Sequence, residues 1–150
     1  MTMVVKLEGS KALKSALAGM SDKIAVEVNK AVIGTALQLQ GEIKDSIQHG
    51  PASGRTYRRR GVMHRASAPG QAPMSDTGRL AGSIYFDTDG PMRAVVGSFL
   101  VYAKYLEYGT TRMNFSGGVG GPRPFFRPAV EAMRPRFEKY ISDALAGVVR

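Results

Sequence analysis

Cysteine is absent from this 150-residue sequence, and there are only two histidines, His49 and His64. Without cysteine the chain can form neither a disulfide nor a thiolate metal site. Two histidines are also too few for a histidine-rich metal site. We therefore expect no bound metal and no cofactor.

Long apolar runs are missing as well. No run approaches the roughly 20 residues that a transmembrane helix needs. The N-terminal stretch, MTMVVKLEGSKALK, lacks the apolar segment of about 7–15 residues that defines a signal peptide. We expect no membrane contact and synthesis in a cytoplasm.

Motifs for catalysis are also lacking. The sequence has no GxSxG nucleophile elbow and no P-loop lysine motif. His49 falls at the end of a helical pattern and His64 among arginines, so neither is placed as the base of a hydrolytic triad. Asp87 and Asp89 suit a turn better than a metal site, because no further carboxylates lie nearby. The sequence predicts that the chain is not an enzyme.

Positive charge, in contrast, is plentiful and concentrated. The net charge is +9, and between residues 55 and 65 there are five arginines and no acid. Because residues 50 to 73 are also rich in Gly and Pro, we predict a flexible arm, with residues 56–58 as one strand of a protruding hairpin. The positive electrostatic field of these arginines favours binding to a polyanion, namely nucleic acid, an acidic protein face or an anionic membrane. The alternative is a soluble loop with surplus arginine.

The apolar spacing predicts one long helix, from Ser21 or Asp22 to His49. Its apolar positions recur in steps of three and four: Ile24, Val28, Val32, Ala36 or Leu37, Leu39, Ile43 and Ile47. Gly34 and Gly41 weaken this helix; we interpret them as points where another backbone approaches closely. A strand at residues 3–7 and a helix from Lys11 to about Ala18 precede it.

The second half of the chain alternates short elements. Two strand candidates, 83–88 and 92–97, flank Asp89-Gly90, a pair that favours a type I′ hairpin turn. Residues 101–108 are expected to form a short helix, 110–115 a strand and 116–121 a flexible glycine loop.

A final helix, with Pro128 at its first position, is predicted by a last apolar stripe: Val130, Met133, Phe137, Tyr140 or Ile141, Ala144 or Leu145, and Val148. Because proline is unfavourable inside a helix, Pro135 suggests that this helix begins only near Arg134. The fold class that results is α+β: two long helices packed on a small antiparallel sheet, in a single domain over residues 1–150.

Aromatic residues cluster around the expected short helix and the entry to the final helix. They are Tyr102, Tyr105, Tyr108, Phe125 and Phe126. Core packing is one interpretation, and a protein interface is the other, because aromatic side chains are enriched at interfaces. Both hold if Phe125 packs inward and Phe126 faces a partner.

Three segments of the chain together match a known pattern. The first is APGQAP at residues 68–73 followed by DTGRLAGSI at 76–84. The second is Val96-Gly97 with YAKYLEYGT at 102–110, and the third is PRPFFRPA at 122–129. In this order they resemble the small neck or tail-completion proteins of long-tailed bacteriophages and their prophages, over roughly residues 20 to 145.

The resemblance implies a structural virion protein, a neck or tail-completion protein or the tail terminator, that is made in the cytoplasm of a host bacterium and located at the head–tail junction. There it would form a ring, with a hexamer favoured, around the DNA channel. Head-closure and tail-tube or tail-terminator proteins would be its neighbours. The arm would contact an acidic partner surface or channel DNA through Arg55, Tyr57, Arg58, Arg59, Arg60 and Arg65. The alternative is a free-standing basic nucleic-acid-binding protein.

The other expected site residues lie in the shared segments. Residues expected at a subunit interface are Tyr105, Glu107, Tyr108, Arg123, Phe126 and Arg127. Glu107 is the only acid in the aromatic turn, so we expect it to pair with Arg79, Arg123 or Arg127. Structural turns are expected at Asp76 and Gly78, as an Asx-type cap, and at Gly109, as the left-handed residue that ends the short helix.

Overall fold

The computed structural model describes residues 3–8, 22–110 and 121–148. The expected helix at Lys11–Ala18, nearly all of the expected strand at 110–115 and most of the glycine loop at 116–121 lie outside these residues. The described part is an α+β fold with two long helices, as the sequence predicts. In chain order its elements are β1 (Met3–Glu8), α1 (Asp22–His49), β2 (Thr56–Arg59), β3 (Val62–Arg65), α2 (Arg79–Gly82), β4 (Ile84–Thr88), β5 (Arg93–Ser98), α3 (Ala103–Tyr108) and α4 (Arg127–Val148).

Helix α1 forms because its apolar residues follow the helical repeat and bury a single face. The buried side chains are Ile24, Val28, Val32, Thr35, Ala36, Leu39, Ile43 and Ile47. Of the two alternatives at one turn, Ala36 is buried whereas Leu37 is exposed. The helix carries the largest share of the core, and it is in contact with β4, β5 and α4.

The main sheet is three-stranded and antiparallel, in the order β1-β5-β4. Strand β5 is central, and its buried residues include Ala94 and Val96. The β4–β5 hairpin confirms the two strand candidates, but its turn differs from type I′. A type I′ turn needs positive φ at both Asp89 and Gly90, but positive φ angles occur at Gly90 and Met92 and not at Asp89. Four residues, 89–92, join the strands. The Met92 N–H donates to the Asn29 side-chain oxygen of α1 at 2.8 Å, which ties this loop to the helix.

Helix α4 packs antiparallel on α1. Arg136 pairs with Glu42, and further along α4 the Tyr140 hydroxyl donates to the Gln38 side-chain oxygen at 3.3 Å. The expected stripe is confirmed by side chains buried in or packed against the core: Val130, Met133, Phe137, Ile141 and Leu145. The expectation of a start near Arg134 is wrong, because the helix already begins at Arg127 and runs through Pro135.

Pro135 is tolerated because it lies on the exposed face, where water can solvate the carbonyl that loses its N–H partner. Val130 and Met133 meanwhile hold the preceding turns against the core. Pro128 lies in the first turn, whose N–H groups have no partner within the helix in any case. Tertiary contacts therefore override the local preference of Pro135.

No other backbone of the described chain lies close to Gly34 or Gly41. A Cβ atom built at either position has nothing within 4 Å. This corrects the expected close approach. We predict that Gly34→Ala and Gly41→Ala each raise the free energy of unfolding by about 0.5–1 kcal/mol, since alanine favours the helix and restricts the unfolded chain. Urea unfolding would show higher midpoints with an unchanged slope.

The matched control for this prediction is Gly50→Ala at the end of α1. There the added Cβ would clash with the Ser46 carbonyl oxygen, so the variant should be destabilised. Equal responses at all three glycines would contradict this account of α1.

Candidate functional site

The arginine-rich segment forms a two-stranded antiparallel hairpin of β2 and β3, called here the basic hairpin (residues 56–65). Arg59 pairs with Val62, so only Arg60 and Gly61 connect the strands. Both have positive φ, 50° and 82°, as a tight two-residue hairpin turn requires. The expected hairpin is therefore present, and its first strand extends the predicted residues 56–58 by Arg59.

One face of the basic hairpin is fixed to the body of the protein. Tyr57 stacks on His64, with ring centroids 5.7 Å apart. Arg59 forms an ion pair with Asp76, and His64 Nδ1 lies 3.7 Å from the other Asp76 carboxylate oxygen. A single carboxylate thus holds two strands of the hairpin.

The other face and the tip point outward. Because neighbouring residues of a strand alternate between faces, Arg58 and Arg65 share the side opposite Tyr57 and are exposed with Met63. Arg60 is exposed at the turn, and Arg55 just before the hairpin. Between residues 51 and 83 there are six arginines and one aspartate, so this part of the surface carries a strong positive field.

Residues 66–78, called here the strap, are folded against the protein. The Ser75 N–H donates to the Ile47 carbonyl at the end of α1, and the Gly70 N–H donates to the Pro122 carbonyl, both at 2.8 Å. Gln71 Oε1 accepts from the Ala68 N–H at 2.8 Å and from the Ser53 hydroxyl at 3.0 Å. The structure thus gives the expected flexible arm over residues 50–73 a hairpin and hydrogen bonds to the body of the protein, and its flexibility stays a prediction.

Exposed apolar side chains form a second surface, called here the aromatic stripe: Phe99, Val101, Tyr102, Tyr105 and Tyr108. Their exposed fractions range from 40% at Tyr102 and Tyr105 to 72% at Tyr108. Tyr102, Tyr105 and Tyr108 follow a spacing of three along α3, which places them beside one another. Core packing is therefore the wrong interpretation for these tyrosines, whereas Phe125 and Phe126 are buried.

Glu107 lies on the inner side of α3 and is only 4% exposed. Its Oε2 accepts from the backbone N–H groups of Phe125 and Phe126 at 2.8 and 2.9 Å, and Oε1 accepts from the Arg127 N–H at 2.8 Å. These N–H groups lie at the start of α4, where the helix itself supplies no acceptor. A carboxylate also suits the positive end of the helix dipole.

The expected ion pair between Glu107 and an arginine is replaced by this helix cap. The carboxylate accepts from these backbone N–H groups because the chain enters α4 directly beside Glu107 of α3. Glu107 and Phe126 are both interior, which corrects their expected exposure to a partner. The interface role of Tyr105, Tyr108, Arg123 and Arg127 stays a prediction.

The three expected turn residues have different outcomes. Gly78 has a φ of 73°, as a bend at glycine predicts, but Ser75 Oγ, and not Asp76, accepts its N–H, at 3.1 Å. The Asp76 carboxylate instead contacts Arg59 and His64 of the basic hairpin. Gly109 ends α3 with φ 74° and ψ 173°, so its φ is positive while its ψ lies outside the left-handed helical region.

A cleft of about 280 Å³ lies where these parts meet. Its walls come from the basic hairpin, the strap, α2 and α3, and include Arg59, Asp76, Arg79, Tyr102 and Arg123. The Nε atom of Arg123 is buried and has no hydrogen-bond partner among the described residues. Cationic groups thus outnumber the one carboxylate in the cleft.

Within the described residues, no group of three or more His, Asp or Glu side chains is arranged to hold a metal ion. No described helix is long and apolar enough to cross a bilayer. The surface features that remain are the basic hairpin, the aromatic stripe and the cleft, all of which suit contact with other macromolecules.

These features alone define no class of protein, but a comparison with known families does. A family model described as "Bacteriophage HK97-gp10, putative tail-component" matches residues 11–109. The chain therefore belongs to the HK97-gp10-like family of phage tail components. No curated protein and no solved structure matches the chain.

The family match includes the first segment on which the resemblance to phage neck proteins depends and the second as far as Gly109, and it ends before the third. The structure brings all three together. Glu107 of the second segment caps Phe125 and Phe126 of the third, and Gly70 of the first donates to Pro122 of the third. The sequence signal for this junction was a single acid among aromatic residues, but its partner could not be read from spacing alone.

Proposed function

We propose that this tail component forms a ring at the head–tail junction, where it completes the tail or joins it to the head. A hexamer is the favoured ring, with head-closure and tail-tube or tail-terminator proteins on either side. The role is structural, without catalysis. The observation that supports this proposal most is the aromatic stripe, which leads into α3 and continues along it.

An aromatic stripe of this kind is costly on a free subunit, because apolar area that faces water lowers solubility and favours association. Tyrosine is frequent at the centres of interfaces, where it supplies a large apolar surface with a polar end. In a ring, each subunit buries such a surface against a neighbour. The same contact would leave the basic hairpin free for a second partner.

The basic hairpin supplies the second contact in this proposal. Its outward arginines, Arg58, Arg60 and Arg65, would meet acidic protein surfaces or the phosphates of channel DNA. Contact with phosphates would be independent of sequence, since the hairpin is short and presents no set of side chains for reading bases. Its inner side keeps it oriented through Arg59 and Asp76.

The experiment that tests the ring is complementation of a phage that lacks this gene. We predict that Tyr105→Ser and Tyr108→Ser each weaken incorporation into particles by about 30-fold, the effect of losing an interface contact worth about 2 kcal/mol. The free energy of unfolding of the isolated chain should change by less than about 0.5 kcal/mol in Tyr108→Ser, because that side chain is 72% exposed, so lost incorporation of this variant reports on assembly.

Leu37→Ser is the matched control, since Leu37 is similarly exposed but lies on α1, away from the stripe. It should complement normally. Full complementation by both tyrosine variants, or equal loss with Leu37→Ser, would refute a contact through the aromatic stripe.

A second candidate function, free binding of nucleic acid, is favoured by the outward arginines alone. It predicts tight DNA binding by the isolated chain that weakens steeply as salt rises. Alanine at Arg55, Arg58, Arg59, Arg60 and Arg65 separates the two functions. If these changes abolish tight DNA binding and leave particle assembly intact, the hairpin serves nucleic acid and its assembly role is wrong.

A further inference from the structure

The cleft beside α3 has more positive charge than its own residues neutralise. Arg59 and His64 share its single aspartate, Asp76. Arg79 and Arg123 have no carboxylate within ion-pair distance among the described residues, and Arg123 Nε is buried without a hydrogen bond. Because a buried donor without a partner is unfavourable, the cleft fits an anionic group supplied from outside.

The apolar part of the cleft wall narrows the choice of ligand. Met74, Leu80, Tyr102 and Leu106 line it together with the arginines. A volume of about 280 Å³ accommodates a few side chains and is too small for a nucleic acid duplex. Mixed apolar and cationic walls suit a protruding protein turn that carries both a carboxylate and an apolar residue.

Such a turn exists on the same molecule. Residues 87–91, Asp-Thr-Asp-Gly-Pro, comprise the end of β4 and most of the loop to β5, and all are exposed. Asp89 lies 3.3 Å from Arg93, whereas Asp87 accepts only from the neighbouring Thr88 N–H among the described contacts. Pro91 adds an apolar ring next to the two carboxylates. This turn, called here the acidic turn, therefore has the chemistry that the cleft lacks.

The positions of the acidic turn and the cleft suit a head-to-tail contact. The β4–β5 register places Thr88 opposite Ala94 beside the turn, and Ile84 opposite Ser98 at the other end. Arg79 and Leu80 of the cleft shortly precede Ile84, and Tyr102 follows Ser98. The two features are thus separated by the length of a strand, roughly 15 Å at about 3.3 Å per residue.

We propose that the acidic turn of one subunit inserts into the cleft of the next, with Asp87 against Arg79 and Arg123 and Pro91 against Tyr102. Two different, complementary patches on one subunit are what a closed head-to-tail ring requires. This inference rests on the proposed ring and identifies the two surfaces that would build it. An open chain of subunits would use the same two surfaces, the acidic turn and the cleft.

Charge reversal gives the first test. Asp87→Lys and Arg79→Glu should each weaken self-association of the purified chain at least tenfold, measured by analytical ultracentrifugation and in assembled particles, because each places like charges at the contact. The chain that carries both changes should recover to within a few-fold of the original, since the pair is complementary again. Glu138→Lys, on the exposed side of α4, is the control and should assemble normally.

The absence of cysteine makes a second test specific. A chain with Asp87→Cys and Arg79→Cys should form a ladder of covalent multimers under mild oxidation, and neither single variant should form more than a dimer. Replacing the first change with Glu138→Cys should abolish the ladder. A cross-link between position 87 of one subunit and position 79 of the next locates the contact independently of its strength.

The outcomes separate this inference from the proposed function. If the chain forms rings, while both reversals assemble normally and the cysteine pair does not cross-link, the insertion is wrong and the ring stands. If the chain forms no oligomer alone and is absent from particles, both fail together. Loss of assembly in the single reversals without recovery in the combination would also overturn the proposed pairing.

Discussion

Replacing Glu107 with alanine is expected to lower the free energy of unfolding by about 3–5 kcal/mol. The change removes three hydrogen bonds between a buried carboxylate and the backbone N–H groups of Phe125, Phe126 and Arg127. A hydrogen bond to a charged group contributes about 1.5–3 kcal/mol, and buried donors left without a partner add a further penalty. The helix α4 would also lose the negative charge at its N-terminus.

Thermal and urea unfolding measure this effect. For a chain of 150 residues, about 3–5 kcal/mol corresponds to a fall in melting temperature of roughly 6–20 °C. Glu107→Gln should lie between alanine and the original, because one amide oxygen can still accept from Phe125 and Phe126. A loss of less than about 1 kcal/mol in Glu107→Ala would show that the cap contributes little.

Glu138→Ala serves as the control for the cap. Glu138 is exposed on α4 and has no described ion-pair partner, so its removal should change stability by no more than about 0.5 kcal/mol. The comparison separates loss of a buried cap from loss of negative charge as such. On a chain with net charge +9, removal of any acid would otherwise be a plausible cause of destabilisation.

The regular elements of the fold were predictable because their signal is local. In α1 the repeat of apolar residues identifies the buried face, and it is ambiguous only between Ala36 and Leu37. The β4 and β5 strands follow from alternation around a turn. Periodicity reports which face of an element meets the core, and for these elements that information sufficed.

The candidate site was less predictable because it depends on contacts between distant segments. Charge alone suggests that Glu107 pairs with an arginine, whereas in the structure its carboxylate accepts hydrogen bonds from backbone N–H groups at the start of α4. Asp76 fitted a turn by local pattern and is used by Arg59 of the hairpin. In both cases a carboxylate binds donors 17 to 20 residues away along the chain, and spacing in the sequence does not encode which donors come near.

The strap shows the same limitation with backbone groups. Its Gly and Pro content indicated a flexible arm, since such residues form neither helix nor strand. Yet Ser75 and Gly70 donate to carbonyls of α1 and of the segment before α4, and Pro73 is buried. Composition excludes regular structure, but it does not exclude an irregular segment that satisfies its polar groups against a neighbour.

Phe125→Ala and Phe126→Ala are each expected to destabilise the chain by about 3–5 kcal/mol, the usual cost of truncating a buried phenylalanine. The rings are 1% and 2% exposed, and their centroids lie 5.0 Å apart. This result would distinguish the interior position of Phe126 from the partner-facing one that the sequence suggested. If Phe126 instead faced a partner, its replacement would impair assembly and leave the stability of the isolated chain unchanged.

Tyr108→Ala completes the comparison between core and surface aromatics. Its side chain is 72% exposed, so its loss should change the free energy of unfolding by less than about 0.5 kcal/mol. Chemical denaturation of the three variants, followed by circular dichroism, measures all of these values on one scale. Because Phe125 and Phe126 also supply N–H groups to Glu107, combining Phe125→Ala with Glu107→Ala should cost less than the sum of the two single changes. Simple additivity would show that the cap and the aromatic pair stabilise the start of α4 independently.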